Sequence, residues 1–402
     1  MRRVLGVGAG VACALLVAAC GGGTTDTSAS STPTIAQPPV LPITSPDKLD
    51  AGTYPTKPLP PIGTAGSPAR GAVAQAQQMA DFVIGPWDVD ETLITPYLES
   101  FYLMDNPGVL SRIGPEPVAA AAGQHGFVNG FASAREATDK AALVHAVMRF
   151  TDPAAAAAAS ADMNKAASGK PIAGALPAVA AIPGHPEAAA STYPFTPHGS
   201  DRVRATIRSF TPHGPYVFMD FVQSIDGFDA AAAMVAKAVD IQAPLIDKFT
   251  PADLNALAAV ELDPTGMLAR TVPLTSGASA AKNSVYDARG AAHFQSNPVG
   301  SETLFKDTGV TEVAMAGTNV YAARSAPSAG MVIKSFTDEL AKTEGTTIAA
   351  PVPNIPDSHC FAFPKAFYCV APADRYAIEA TSDKLDTLHQ LVAAQYIILT
   401  AK

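Results

Sequence analysis

The residues of this 402-residue chain best suited to chemistry are a pair of cysteines, an acidic run and two histidine turns. Cys360 and Cys369 bracket Phe361-Ala-Phe-Pro-Lys-Ala-Phe-Tyr368, and their midpoint falls between Pro364 and Lys365, the expected turn. In a hairpin centred there the two cysteines lie directly opposite each other. Opposed strand residues have Cα atoms about 4.5–5.5 Å apart, and disulfides mostly want about 4.4–6.8 Å. The spacing predicts a structural disulfide. A redox-active pair is the sharper reading, but that chemistry usually takes Cys-x-x-Cys at a helix start.

Asp88-Val-Asp-Glu-Thr92 matches the Asp-x-Asp-x-Thr pattern of aspartyl-phosphate phosphohydrolases, where the first carboxylate attacks phosphorus and the second is the acid. That chemistry needs the first Asp at the end of a buried strand, beside magnesium. Here Gly85-Pro86-Trp87 separates it from Phe82-Val-Ile84, and proline fits a strand interior poorly. No downstream Asp-Asp or Gly-Asp metal motif follows, so the run reads as an acidic turn with a helix start. Thr-Pro-His-Gly occurs at 196–199 and 211–214, which invites a metal site on His198 and His213. If Arg202 to Phe210 is a strand, it spans about 30 Å and the histidines sit in turns at its opposite ends. Gly-x-Ser-x-Gly, His-Glu-x-x-His, a P-loop and a Gly-x-Gly-x-x-Gly helix start are all missing. A triad assembled from distant residues leaves no such local trace. The sequence therefore assigns no catalytic residue, no metal ligand and no cofactor.

The N-terminus carries a different chemistry. Arg2 and Arg3 precede an uncharged run, Val4 to Val17, that ends in Val17-Ala18-Ala19-Cys20. This is a positive n-region, a short apolar h-region and small residues at the cut, and it is too short to span a bilayer, which takes about 20 apolar residues. Small side chains before a cysteine fit lipoprotein signal peptidase, and the free thiol takes the diacylglyceryl group. The pattern resembles a bacterial lipobox, with residues 1–19 removed and Cys20 lipidated; an ordinary signal peptide with a chance cysteine is the alternative. Residues 20–70 follow as a tether rich in Gly, Thr, Ser and Pro. Such a segment buries too little apolar surface to offset its ordering entropy. A diacylglyceryl group plus an amide-linked acyl chain such as palmitate anchors stably where a single chain does not.

Removing residues 1–19 deletes two arginines and no acid, so the formal charge goes from −9 to −11. An acidic protein without a basic stripe is a poor partner for nucleic acid and for anionic lipid surfaces, so the lipid must do the anchoring. About 330 residues remain beyond the tether, enough for two domains.

Those residues read as one unit repeated, over 71–260 and 261–402. In the first copy His145 to Phe150 is a strand, and Asp152-Pro153 opens a helix, Ala154 to Ala167. Extended segments follow near 182–195, 202–210 and 216–224. A helix from Asp229 to about Phe249 carries Val235, Ala238, Val239 and Gln242 on one stripe, with Pro244 near its end. In the second copy Thr318 to Arg324 is the strand, Pro327-Ser328 opens the helix, and Gly345 is expected to close it. The disulfide hairpin comes next, then a final helix with Leu388, Val392 and Gln395 on one face, Ser382 being its expected cap. Gln242 parallels Gln395, Ala178 to Pro186 parallels Ala349 to Pro356, and Gly108 to Gly114 parallels Glu302 to Gly309. The first copy carries extra residues, expected between His198 and His213. The fold class is α+β: two related β-α-β-β-α layers of the split βαβ type, with mainly antiparallel sheet and helices on one face. The pattern leaves open how the layers stack.

Leu49-Asp-Ala-Gly-Thr-Tyr-Pro-Thr-Lys-Pro58, the Gln77-Gln-Met-Ala-Asp81 helix, Gly126-Phe-Val-Asn-Gly-Phe131 and the lipobox together resemble a family of mycobacterial and related actinobacterial lipoproteins of unknown function. The likeness covers most of the mature chain, implies a cell-envelope setting and carries no catalytic residue over. The expected role is that of a lipid-anchored binding or accessory protein on the extracytoplasmic face of the cell membrane. Its partners would be the membrane, through the N-terminal lipid, and a lipid, small-molecule or envelope-protein ligand. An extracytoplasmic hydrolase with an unrecognised site, and a structural subunit of an envelope complex, are the alternatives. Cys20→Ala is expected to abolish acyl labelling and leave the precursor uncut; a variant that still takes label and matures normally refutes the lipobox.

Overall fold

The computed structural model describes residues 43–401 apart from 173, 198–199 and 275–278. Cys20, the expected signal and much of the tether lie outside the described residues, as does His198. The first helix, α1 (Pro68–Met79), starts where Ser67 Oγ accepts from the Arg70 N–H and Pro68 takes a position that needs no donor. Its packed face is small, and a Cβ on Gly71 would fall 1.9 Å from the Leu257 carbonyl oxygen. Only glycine allows that approach.

The first half continues through α2 (Pro86–Val89), β1 (Thr95–Met104), α3 (Glu116–Gln124), β2 (Phe127–Ala137), β3 (Ala141–Phe150), α4 (Pro153–Ser168), β4 (Ala178–Ile182), β5 (His185–Phe195), β6 (Arg204–His213), β7 (Tyr216–Ser224) and α5 (Phe228–Ile246). The second half runs through β8 (Ser284–Asp287), α6 (Ala288–Ala292), α7 (Pro298–Thr308), β9 (Glu312–Met315), β10 (Asn319–Ala322), α8 (Ala326–Leu340), β11 (Thr347–Ala349), β12 (His359–Phe363), β13 (Ala366–Ala373), β14 (Tyr376–Ser382) and α9 (Leu385–Thr400). Each half holds a seven-stranded sheet. The order is β1-β2-β3-β7-β6-β5-β4 in the first and, read the same way, β8-β9-β10-β14-β13-β12-β11 in the second. Every neighbouring pair is antiparallel. The two orders are the same, strand for strand. The fold is α+β with two similar halves, and α4 corresponds to α8 as α5 does to α9. The expected β-α-β-β-α unit is enlarged in each half by two leading strands joined through helix, α3 in the first and α6 and α7 in the second, and by a second hairpin.

The helices do not share one face, as the sequence reading expected. On β3, Leu143 and Val147 join the core beneath α5, while Val144, Ala146, Met148 and Phe150 join a separate core beneath α3 and α4. The second sheet repeats this: Tyr321 faces α8, and Val320 and Ala322 face α9. Every residue of β3 is buried, so both faces had to be covered. One continuous core joins the α5 face of the first sheet to the α8 face of the second. Non-equivalent faces meet, and the halves stack head to tail.

Matching caps set the register. Asp152 Oδ1 accepts from Ala155 N–H at 2.9 Å and Ser325 Oγ from Ser328 N–H at 3.3 Å, each opening the helix that follows the third strand. Much of the first half's extra length lies in the β5–β6 connection: Phe195 pairs with Arg204, whereas in the second half Phe363 pairs with Ala366 across Pro364-Lys365. Three local expectations need correction. The helix before the second strand is α3 in one half and α7 in the other, so Gly126 (φ +71), not Gly114, is the counterpart of Gly309 (φ +64). α8 ends at Leu340 on an ordinary αR cap, Ala341, and Gly345 lies in the following turn. Ser382 Oγ accepts from Lys384 N–H at 3.3 Å, a local turn, while Lys384 itself occupies the cap of α9.

The Gln242–Gln395 parallel has a structural cause. Gln242 Oε1 accepts from Ile84 N–H at 2.9 Å, and its Nε2 donates to the Phe82 carbonyl at 2.9 Å. Gln395 Oε1 accepts from Val272 N–H at 2.7 Å, and its Nε2 donates to the Arg270 carbonyl at 2.8 Å. Each amide grips the backbone where a turn ends, at residues n and n−2. A third donor completes each site, His145 Nε2 at 3.0 Å in the first half and Thr318 Oγ1 at 2.6 Å in the second. Both glutamines are fully buried. Gln242→Leu and Gln395→Leu should each cost about 2–4 kcal/mol in urea unfolding, because buried backbone groups lose their partners. Exposed Gln124→Leu should stay within about 0.5 kcal/mol; equal effects at all three positions would remove the clamp from the account.

Candidate functional site

The seam between the halves is built around α1. Upstream of it, Leu59 N–H donates to the Ala269 carbonyl at 2.8 Å, Ala65 N–H to Val260 at 2.8 Å, and Leu262 N–H to Gly63 at 3.0 Å. The chain entering the first half is thus laced to the chain leaving it. α1 is then fastened from both sides. Asn129 Nδ2 on β2 donates to the Ala72 carbonyl at 2.9 Å, and Gln77 Nε2 donates to the carbonyls of Ala280 and Lys282 at 2.7 and 3.2 Å.

Two cavities flank this helix, and both touch Ala74, Gln77 and Leu262. One, about 640 Å³, is walled by Asp81, Phe82, Phe249, Tyr286, Asp287 and Glu312 among others. The second, about 500 Å³, is walled by Leu59, Ile62, Arg70, Val73, Leu268, Leu274 and Lys282 among others. Their sizes suit small ligands, and apolar walls with a few polar groups are the usual make-up of such sites.

The charged groups differ between the two. In the larger cavity burial, then the neighbouring Asp287 carboxylate, hold the Asp81 carboxyl well above its ordinary range. Asp81 Oδ1 also accepts from the Asp287 N–H at 3.1 Å. A carboxylic acid kept neutral this way can donate a proton or a hydrogen bond. Glu312 Oε2 is buried there without a hydrogen-bond partner among the described residues. In the smaller cavity burial pushes the Lys282 ammonium down while Glu379 pulls it back up, and its Nζ donates to Asn319 Oδ1 at 2.6 Å.

A polar clasp of residues that line neither cavity joins the two halves. His293, just past α6, is fully buried and its pKa is pushed down to about 3, chiefly by burial. Its Nε2 lies 3.1 Å from the Val83 carbonyl and its Nδ1 3.0 Å from Ser133 Oγ. A neutral ring that donates from Nε2 and accepts at Nδ1 satisfies both. Arg135 Nη2 donates to the carbonyls of His293 and Gln295 at 3.0 and 2.9 Å, and Phe294 packs edge-on against Phe101. Ser133, His145 and Asp220 stand in one row across β2, β3 and β7, with His145 Nδ1 and Asp220 Oδ1 2.7 Å apart. These are the residue types of a hydrolytic triad, but all three are fully buried and line neither seam cavity. Their role is to join sheet to helix.

The residues singled out from sequence fall elsewhere. Cys360 and Cys369 are disulfide-bonded directly opposite each other on β12 and β13, with Cα atoms 4.1 Å apart, in the core beneath α9. His389 brings a ring nitrogen within 4.8 Å of both sulfurs, but the thiols are spent in the bond and its Nε2 lies 2.9 Å from the Ala350 carbonyl. Asp88 accepts from Gly85 N–H at 2.9 Å and pairs with Arg289 at 2.8 Å, and Asp90 accepts from Thr92 N–H at 2.9 Å. The phosphohydrolase pattern is thus spent on capping, a turn and an ion pair. His213 ends β6 and meets Asp247 at 2.7 Å. Sequence reasoning missed Arg70, Asp81, Lys282, Asp287 and Glu312, because the pairs that matter lie some two hundred positions apart and no local spacing marks them.

The Leu262 that both cavities share also marks a boundary between family segments. Residues 62–262 match the N-terminal domain of unknown function DUF7373, and residues 267–402 match its C-terminal domain. The chain belongs to the DUF7373 family. No curated protein matches it. Among solved structures it is similar to the extracellular domain of PknH from Mycobacterium tuberculosis, at 18% identity and a TM-score of 0.23, over 31% of this chain and 68% of that one. In this DUF7373 protein the seam thus lies where the two family domains adjoin.

The carboxyl of Asp81 gives the seam a testable pH dependence. Its folded pKa is raised above the unfolded value of 3.8. The folded state therefore binds the proton more tightly, and the stability this contributes is present below that value and lost as pH rises through the raised pKa. Asp81→Asn keeps an oxygen for the Asp287 N–H and has no charge to bury. Unfolding midpoints compared from about pH 4 to about pH 8 should shift in favour of Asp81→Asn as pH rises; a constant difference would place the Asp81 carboxyl in an ordinary environment.

Proposed function

We propose that this is a lipid-anchored, extracytoplasmic accessory protein that holds a small amphipathic ligand at the seam between its halves without transforming it. The observation that carries the reading is the pair of cavities of about 640 and 500 Å³ on either side of α1, bounded by both halves and lined by apolar residues with a few charged groups. The Val17-Ala-Ala-Cys20 pattern and the Pro- and Gly-rich stretch after it support export, anchoring through Cys20 and a membrane as the standing partner. Among the described residues no helix is long and apolar enough to cross a membrane, which fits an anchor supplied by lipid.

The Asp81–Asp287 pair favours a second reading, a hydrolase using a neutral carboxyl as general acid. The two separate on one measurement. Protein purified from its own envelope and sprayed under native conditions should carry an added mass that organic extraction releases intact. Val73→Trp, which fills the smaller cavity, should reduce that mass. A bare protein, or a released mass that is always the cleaved form of a compound the protein turns over, would remove the binding reading; loss of turnover in Asp81→Asn would then favour the hydrolase.

A further inference from the structure

We infer that the smaller seam cavity takes an anionic amphiphile, its carboxylate or phosphate held by Lys282 and Arg70 and its chain lying over Leu59, Ile62, Val73 and Leu268; this rests on the seam being a ligand site.

The charge pattern points there. The chain carries a formal net charge of −9, so an anion is repelled at long range unless cations meet it locally. Among the described lining residues the smaller cavity has two cations, Arg70 and Lys282, and no carboxylate. The larger one has Asp81, Asp287 and Glu312 against Lys248 alone. Two cavities sharing one wall of α1 thus have opposite character, and only one of them welcomes an anion.

Lys282 is also built into its place. Gln77 of α1 holds the carbonyls of Ala280 and Lys282, and Tyr286 Oη donates to the Ala281 carbonyl at 2.8 Å. This pins the turn that carries the lysine. An ammonium has three hydrogens to donate, and Asn319 Oδ1 is the one hydrogen-bond acceptor that Nζ meets among the described residues. Glu379 attracts the charge but accepts its hydrogen bonds from Asn319 and Tyr321. A half-buried ammonium with donors to spare is what an incoming carboxylate or phosphate oxygen satisfies. Arg70 is exposed at the rim and makes no ion pair among the described residues. Its planar fork suits the same oxygens. The rest of the wall, Leu59, Ile62, Val73, Leu262, Leu268 and Leu274, offers an alkyl chain a dry surface.

The test uses the full chain with Cys20→Ser, which removes the acceptor thiol and any acyl chains that would compete. It is titrated calorimetrically with dodecanoate, dodecyl phosphate, dodecanol and dodecyltrimethylammonium, and separately with acetate and inorganic phosphate. The two anionic amphiphiles should bind at least about tenfold tighter than dodecanol, since hydrogen bonds to charged groups are at stake. Affinity should rise by up to about fourfold for each added methylene, and acetate and phosphate alone should not register. Arg70→Glu, at an exposed site where the side chain makes no hydrogen bond or ion pair among the described residues, and Lys282→Gln should each weaken dodecanoate about tenfold and leave dodecanol unchanged. Equal binding of all four amphiphiles, abolished by Val73→Trp, would overturn the anionic assignment and keep the seam as a ligand site. Tight binding of free phosphate would overturn the amphiphile. If no probe binds and Val73→Trp still retains the mass extracted from the envelope, the ligand lies elsewhere and both readings fall.

Discussion

One buried amide, used twice, fixes the rest of the molecule. Gln242 in the first half and Gln395 in the second each satisfy a backbone N–H and a backbone carbonyl two residues apart. A buried backbone group left unpaired costs more than a made hydrogen bond contributes, so neither segment slides without breaking its clamp. The first clamped segment begins at Phe82, directly after Asp81, and both line the larger cavity. The second ends at Val272, directly before Pro273 and Leu274, which line the smaller one. Each half therefore sets a wall of the seam with the same device, and the cavities inherit the rigidity of the two clamps.

Head-to-tail stacking then makes the seam asymmetric. Had equivalent faces met, corresponding positions of the two halves would line the seam from both sides. Instead the α5 face of the first sheet shares its core with the α8 face of the second, and α1, which lies outside the repeated strand order, takes up the mismatch. The small face that lets α1 approach Leu257 so closely leaves space on its flanks. Acidic groups from the turn after α1 and from β8 and β9 collect on one flank, and cations from the start of α1 and the approach to β8 on the other.

How much of this was legible depended on the reach of each signal. Local signals read well. Asp152 caps its helix, Pro364-Lys365 turns the hairpin, and the cysteines face each other across it; at α8 the cap is Ser325, two residues before the Pro327-Ser328 pair expected to open that helix. Gln242 on an otherwise apolar stripe was a visible anomaly, and its match to Gln395 was readable without its cause. The burial of both sheet faces was also written in Ala141 to Phe150, an unbroken apolar run around His145 and Arg149 that a one-sided sheet would not need. Gly345 and Ser382 misled because residue type alone does not say whether a helix ends or a loop turns there. Asp81, Asp287 and Lys282 were unreadable because their meaning comes from burial and from partners that only the finished fold brings near.

Strand length accounts for the disulfide's place in one half only. In the first half the row His145, Asp220, Ser209, Ala190 crosses β3, β7, β6 and β5 in register. Its counterpart in the second half begins at Thr318, the residue that meets Gln395 as His145 meets Gln242, and continues through Ala380, Cys369 and Cys360. The first row lies beneath α5, on strands of nine to eleven residues that give ample pairing. There a polar row is sustained because His145, Asp220 and Gln242 bond one another. The second row lies beneath α9, where β12 has five residues and the edge strand β11 three, and such short strands hold a sheet edge weakly. The positions that carry serine and alanine on the long strands of the first half therefore carry a covalent bond on the shorter strands of the second, where closing even a short loop lowers the entropy of the unfolded chain.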